Sequence, residues 1–345
     1  MTPEDRVVLT CSHPFFEESD EREVERLCLS CRIDWSQAYR IAKTHGVAPL
    51  VYSNLRECDP VLLGIPDSVS RRMEAYSLQN LLIKSKIRKR LEEVLCFLQE
   101  QSVDALLLKG AALDLTVYRN PWLTSPCDVD LAIRFRKKEV TSEDRDRIDS
   151  FFRCYPGFEY DYFEHHDVTM NGVLPVDFNQ VWDESQAIRL AGVKTSVMGP
   201  EDLLISLCIN SCRKRFFRLK SLCDIAAVLH RYSTLGWHKV YRKARQYGCL
   251  NIVYAALLVA QMTLHCEVIT PRVLEACGVS SVRKSLIRGV SQSLCRLTLN
   301  SIYAGKRVMG RSASVSLILP YSTLTLGQVL RKLRYVLQTS LRSIG

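Results

Sequence analysis

Ala105-Leu106-Leu107-Leu108-Lys109-Gly110-Ala111-Ala112-Leu113 and, after a proline-marked loop, Asp128-Val129-Asp130-Leu131-Ala132-Ile133 are the two stretches from which this chain can be read. The first begins as a short apolar run, the pattern of a buried strand, and stops at Lys109-Gly110. Good helix formers fill Ala111 to Tyr118, so the unit reads strand, glycine turn, helix. Glycine lets backbone approach a ligand, and the first turn of the helix offers free N–H groups with a positive dipole end. Lys109 adds a cation where a phosphate would lie. Asn120-Pro121 and Ser125-Pro126 mark the loop. The second stretch alternates with period two, as a half-buried strand does, so Asp128 and Asp130 project side by side while Val129, Leu131 and Ile133 turn to a core. Two adjacent carboxylates repel, and a divalent cation relieves that repulsion. Two solvated acids on an open strand face are the plainer alternative.

Working outward, residues 1–33 are polar and acidic, a loose arm or a short helix. Residues 34–101 form a helical region. Trp35 to Leu55 predicts two short helices broken near Gly46-Val47-Ala48-Pro49, and Pro66-Asp67 starts a long amphipathic helix to about Gln101, with Leu91, Val94, Leu95 and Leu98 on one stripe. Beyond the second stretch a charged helix is expected over about Lys137 to Phe152. Two strands follow, about Tyr162–Met170 and Val173–Val181, around an Asn171-Gly172 turn. Helical patterns resume after Gly199-Pro200. The order is helices, a small mixed α/β block over 102–198, then a helical region over 199–345. That predicts an α+β fold in which a small mixed sheet is flanked by N-terminal and C-terminal helical regions.

On the second strand of the expected hairpin, Asp177 interrupts an apolar run between Val176 and Phe178. If that strand neighbours the Asp128–Asp130 strand, three carboxylates converge, and three acids can hold two Mg²⁺ ions beside a triphosphate. A two-residue turn would set His166 opposite Asp177, where a merely exposed histidine is the simpler expectation.

Bulk properties set the partners. The 345 residues are 47% hydrophobic and 24% charged, ordinary globular values. Lysine and arginine total 47 against 37 acids, a net charge of +10 that favours polyanions. Arg213, Lys214, Arg215, Arg218 and Lys220 cluster around one helix junction as the best patch for binding polyanions such as RNA. Leu326, Val329, Leu330, Leu333, Val336 and Leu337 form a basic-flanked amphipathic stripe near the C-terminus, for packing on its own domain, a partner helix or an anionic membrane. Fourteen cysteines are scattered, and the first thirty residues lack an apolar stretch, so reduced thiols and a cytoplasmic location are expected. Cys28 and Cys31 form a single CxxC pair without a second pair at zinc spacing. No apolar run approaches the ~20 residues of a transmembrane helix.

Leu108 to Leu113, then Tyr118, then Asp128-Val129-Asp130-Leu131 resemble the signature of the uncharacterised nucleotidyltransferase family, within the polymerase-β-like superfamily. Trp35 to Leu55, with His45-Gly46-Val47 and Pro49-Leu50, resembles that family's N-terminal helical segment. Val176-Asp177 resembles its third acidic position, and Leu219 to Ala226 its C-terminal helix. The resemblance implies metal binding (Mg²⁺ or Mn²⁺) by Asp128, Asp130 and Asp177, which would also be the catalytic residues. It implies triphosphate contact at Lys109 and Gly110, and transfer of a nucleoside monophosphate from an NTP such as ATP to an acceptor that is a small molecule, a protein or RNA. The family tends to carry arginine where this chain has Thr124, with Arg119 near enough in sequence to substitute, and a histidine and an aromatic where it has Asn179 and Gln180. The alternative is a weak or inactive nucleotidyltransferase-fold module that binds nucleotide, RNA or a protein partner.

Overall fold

A computed structural model describes residues 1–126, 128–137, 139–162, 174–216, 218–297, 299, 323, 324 and 328. Six helices come first: α1 (Pro3–Thr10), α2 (Glu18–Ser30), α3 (Trp35–His45), α4 (Ala48–Leu55), α5 (Pro60–Leu63) and the long α6 (Asp67–Glu100). The mixed block follows as β1 (Val103–Leu107), α7 (Lys109–Thr116), a 3-10 turn (Pro121–Leu123), β2 (Val129–Phe135), α8 (Ser142–Phe152), β3 (Phe158–Tyr162), α9 (Phe178–Asp183), β4 (Gln186–Leu190) and β5 (Val193–Val197). The chain then continues as α10 (Pro200–Arg213), α11 (Leu219–Arg231), α12 (Trp237–Gln246), α13 (Leu250–Leu264), α14 (Pro271–Ala276) and α15 (Ser281–Cys295).

The five strands make one mixed sheet in the order β3-β2-β1-β5-β4. β1 runs antiparallel to β2 with Leu107 opposite Leu131, and parallel to β5 with Leu107 opposite Val197. The C-terminal end of β1 and the N-terminal end of β2 therefore share one edge of the sheet. Alternation gives it two unlike faces. Val103, Ala105, Leu107, Val129, Leu131 and Ile133 lie on the apolar face, all at least 95% buried. Helices α6 and α8 cover that face: Phe97 stacks on Phe151 with ring centroids 3.7 Å apart, and Phe152 on Tyr160 at 4.0 Å. Asp130, Ala132 and Arg134 occupy the other face with Leu106 and Ser196. The Arg134 guanidinium lies 4.5 Å from the Trp182 ring, so α9 sits over this second, acid-bearing face.

The C-terminal helices pack around α13, whose residues Ile252 to Ala260 are all buried, as expected of a helix apolar on every side. α10, α11 and α15 contact it. No helix among the described residues is long and apolar enough to cross a membrane.

The expected α+β architecture is observed, with differences in detail. Residues 1–33 are α1 and α2 rather than a loose arm. Val7, Val8 and Val24 are fully buried, and the Asn54 amide donates to the Cys11 and His13 carbonyls at 2.9 Å, which joins this segment to α4. The helix expected from Lys137 begins at Ser142, because Thr141 caps it and closes a capping box with Asp144. Within the expected strand Val173–Val181, residues 174–177 form instead a loop leading into α9. Phe178, Val181 and Trp182, spaced i, i+3, i+4, are its buried side chains, and the Asp177 carboxylate accepts the N–H groups of Asn179 and Gln180. A local cap and a helical apolar stripe outweigh three residues of alternation. His166 and the Asn171-Gly172 turn lie outside the described residues, as does the amphipathic stripe from Leu326 to Leu337. The hairpin of this block is β4–β5, turned by Ala191 and Gly192 with φ of +49° and +84°.

Candidate active site

β1 ends one residue before Leu108, whose N–H still donates to the Asp130 carbonyl at 3.0 Å. Lys109 then takes a left-handed backbone, φ +45°, and opens α7. The turn between strand and helix is thus made by Lys109, not by Gly110, which is buried in the first turn of α7. A lysine held in this conformation costs about 1–2 kcal/mol relative to glycine, a strain of the kind found where a side chain must be aimed. Its ammonium is aimed at the acids: Nζ lies 2.7 Å from Asp130 Oδ1. The N-cap residue of α7, Leu108, makes no side-chain cap.

Asp128, just ahead of β2, is exposed and has no hydrogen-bond or ion-pair partner among the described residues. Asp177 is exposed at the N-cap of α9. The three do not close into one ligand cluster. Among the described residues no three histidine, cysteine or acidic side chains gather tightly enough to hold a metal ion. The donor set nonetheless suits a hard divalent cation, since Asp128 offers a bare carboxylate and Asp130 has one oxygen on Lys109 and a second without a partner among the described residues. The Cys28 and Cys31 thiols belong to no such group, and burial lifts the Cys28 thiol to about 11.

The basic patch foreseen at residues 213–220 comes to this same place. Lys214 follows α10, which packs on α7. Crowding by neighbouring atoms lowers its ammonium pKa, and the charges of Arg218, Lys109, Lys220 and Arg213 lower it further. Cations from α7 and from the α10–α11 junction thus stand close enough to repel one another. Two consecutive left-handed residues, Arg215 and Phe216 (φ +56° each), fold the junction back, and buried Phe216 anchors it.

Hydrogen bonds tie the surrounding segments together. Lys220 Nζ donates to Asp224 Oδ2 at 2.7 Å, and Tyr118 donates to Asp224 Oδ1 at 2.8 Å. Burial and the nearby carboxylate push the Tyr118 phenol far above its usual range, which keeps it a donor. Ser125 Oγ donates to the Gly46 carbonyl at 2.8 Å. Gly46 itself ends α3 at φ +73°, a backbone conformation in which a side chain would be strained, and a β-carbon added there would lie 3.6 Å from Lys220. His45 Nδ1 accepts the Leu219 N–H at 3.2 Å. The helical segment ending at Gly46, the segment from Tyr118 to Ser125 and the Leu219–Asp224 stretch therefore meet around one corner of the molecule.

Arg119 is exposed beyond the far end of α7, about 12 Å along the helix from Lys109. No contact among the described residues brings it to the acids. The position occupied by Thr124 is filled differently. Thr124 is buried, and Lys84 from α6 places Nζ 2.7 Å from its hydroxyl and 2.5 Å from Asp114 Oδ2. Burial raises the Asp114 carboxyl while Lys84 opposes that shift. Lys84 was not singled out from sequence, although Asn80 and Lys84 interrupt the buried stripe of α6. Asn179 forms part of the α9 cap, and Gln180 Nε2 donates to Glu184 at 2.8 Å.

A family model described as "Uncharacterised nucleotidyltransferase" matches residues 32–142 and 163–265. No curated protein and no solved structure matches the chain.

Proposed function

The chain belongs to the uncharacterised nucleotidyltransferase family, and from that premise we propose that it moves a nucleoside monophosphate from an NTP to an acceptor hydroxyl. The supporting observation is the convergence of Lys109, Lys214, Arg218 and Lys220 from separate elements, beside an uncapped helix N-terminus and the Asp130 carboxylate. A triphosphate would give Lys214 and Arg218, which have no acidic partner among the described residues, an anionic one.

Before nucleotide arrives, Lys109 neutralises Asp130. On binding, its ammonium has phosphate oxygens to exchange for that carboxylate, so Asp130 is released as the cation of Lys109 is satisfied. Lys214 and Arg218 hold the β- and γ-phosphates, and the first turn of α7 donates N–H groups to them. The acceptor oxygen forms a bond to the α-phosphorus while the bond from that phosphorus to the bridging oxygen breaks. The hydroxyl proton passes to the unpaired Asp128 carboxylate, and pyrophosphate leaves against Lys109 and Lys214. A divalent cation held by Asp128 and Asp130, with Asp177 as third ligand, would supply Lewis-acid activation of the hydroxyl and charge neutralisation at the phosphates.

Calorimetric titration of the full chain with ATP, GTP, CTP and UTP in Mg²⁺ or Mn²⁺ tests nucleotide binding. Pyrophosphate release, with mass spectrometry of protein and candidate acceptors, tests transfer. At least one NTP is expected to bind, Lys214→Ala to weaken it about tenfold (~1.4 kcal/mol), and Asp128→Asn to slow pyrophosphate release by ~100-fold or more. Undiminished release by Asp128→Asn would defeat the catalytic proposal. Steeply salt-dependent retention on RNA without any metal-dependent NTP affinity would favour a binding module instead.

A further inference from the structure

A cavity of about 170 Å³ opens between α6, α7 and the Pro121–Leu123 turn, with Asp128 among its lining residues. Its walls are mostly apolar, from Leu81, Ile87 and Leu91 of α6 and Leu115 of α7, and Trp122 adds a 41%-exposed indole. Of its two cations, the buried Lys84 is engaged and Arg88 is more than half exposed. Lys84 is held by Asp114 and Thr124, and Arg88 lies 3.5 Å from Glu92. The one carboxylate in the lining without a partner among the described residues is Asp128.

Such a lining discriminates by chemistry. With Lys84 taken up by Asp114 and Thr124, the lining offers a phosphate fewer cations than the Lys109–Lys214 corner does. A nucleobase would need partners for its polar edge, and Lys84, Asp114 and Thr124 already satisfy one another. An apolar body gains by burial here. The volume is close to that of a cavity able to hold a single benzene ring. Asp128 leaves room for one polar group at the end of such a ligand, a hydroxyl that can donate to it.

We infer that this cavity is the acceptor site and takes a small alcohol or phenol with one ring-sized apolar group. The inference rests on the nucleotidyltransferase proposal above. In the transfer step the ligand's hydroxyl oxygen bonds to the α-phosphorus, its proton passes to Asp128, and pyrophosphate is the leaving group.

Saturation-transfer NMR of the full chain with benzyl alcohol and with phenol tests it, beside calorimetry with the NTP that binds. Ser85 lies exposed on the wall of the cavity, so Ser85→Trp fills the space without disturbing the core, and Ser85→Ala is the control. Transfer to at least one ring compound is expected in the wild type and in Ser85→Ala, with affinity at least about tenfold lower in Ser85→Trp and NTP affinity unchanged. Undiminished ring binding by Ser85→Trp overturns the inference, as does a loss of NTP affinity in that variant, which would assign the cavity to the base. Absence of ring binding beside intact NTP binding refutes the acceptor assignment alone. Absence of NTP binding by the wild type refutes the nucleotide proposal and the acceptor assignment with it.

Discussion

Lys243→Met probes the device that fixes α9, and with it Asp177. Lys243, fully buried on α12, donates to Asp202 Oδ2 on α10 at 2.5 Å and lies 3.0 Å from Glu184, just past the end of α9. Methionine keeps the volume, so the loss is electrostatic rather than a cavity. Removing one partner of a buried pair costs about 3–5 kcal/mol, because the survivor stays buried and uncompensated. Two contacts favour the low end of that range: Tyr247 still donates to Asp202 at 3.2 Å, and Lys239 still lies 3.0 Å from Glu184. A loss of about 3 kcal/mol near pH 7 is therefore expected in urea unfolding. The pH dependence has a definite sign. Burial already raises the Asp202 carboxyl against the pull of Lys243. Without Lys243 it rises further, so the folded variant takes up a proton at a pH where the unfolded chain, with Asp near 3.9, does not. The variant's deficit must then shrink as the pH falls from about 7 toward 5. A deficit below about 1 kcal/mol near pH 7, or one that fails to narrow in acid, refutes this account of the network.

Lys109→Ala and Lys109→Gly are both expected to weaken NTP binding in calorimetry, but the glycine variant, relieved of a β-carbon at φ +45°, should unfold about 1 kcal/mol later than the alanine one. His45 is lowered by burial, with its bond to Leu299 O opposing that shift, and its Nδ1 accepts the Leu219 N–H. Its folded pKa lies below the unfolded value of 6.5, so its contribution is complete above that pH and is lost as the pH falls through the folded pKa; His45→Gln should flatten the fall in thermal midpoint below about pH 6.5. Gly199→Ala sets a β-carbon 2.9 Å from the Glu184 carbonyl oxygen, and a destabilisation of about 1–3 kcal/mol is expected in the same unfolding assay.

Much of the fold was legible because strong periodicities coincide with real burial. The α6 stripe, the broken helix at Gly46 and the strand–helix unit at residues 103–116 follow from spacing alone. Misreadings arose where a short pattern served two periods. Val176-Asp177-Phe178 alternates like a strand, yet Phe178, Val181 and Trp182 carry a helical stripe that only a longer window shows, and Asp177 is a natural cap. The β4–β5 hairpin went unseen because Ala191-Gly192 is a weak turn signal, with alanine at a positive φ that tertiary contacts must impose.

The contacts among the candidate site residues were not legible, because one-dimensional spacing omits them. Lys109 and Asp130 stand 21 residues apart, and only the antiparallel pairing of β1 with β2 brings their side chains to 2.7 Å. The patch at 213–220 looked like a separate polyanion surface, yet α10 carries it to Lys109. At Thr124 the structure sets Lys84, forty residues earlier on a different helix, with its ammonium held by Asp114 and the Thr124 hydroxyl. In the proposed reaction the exchange that decides is at Lys109, whose ammonium serves Asp130 in the structure and would serve phosphate once nucleotide binds.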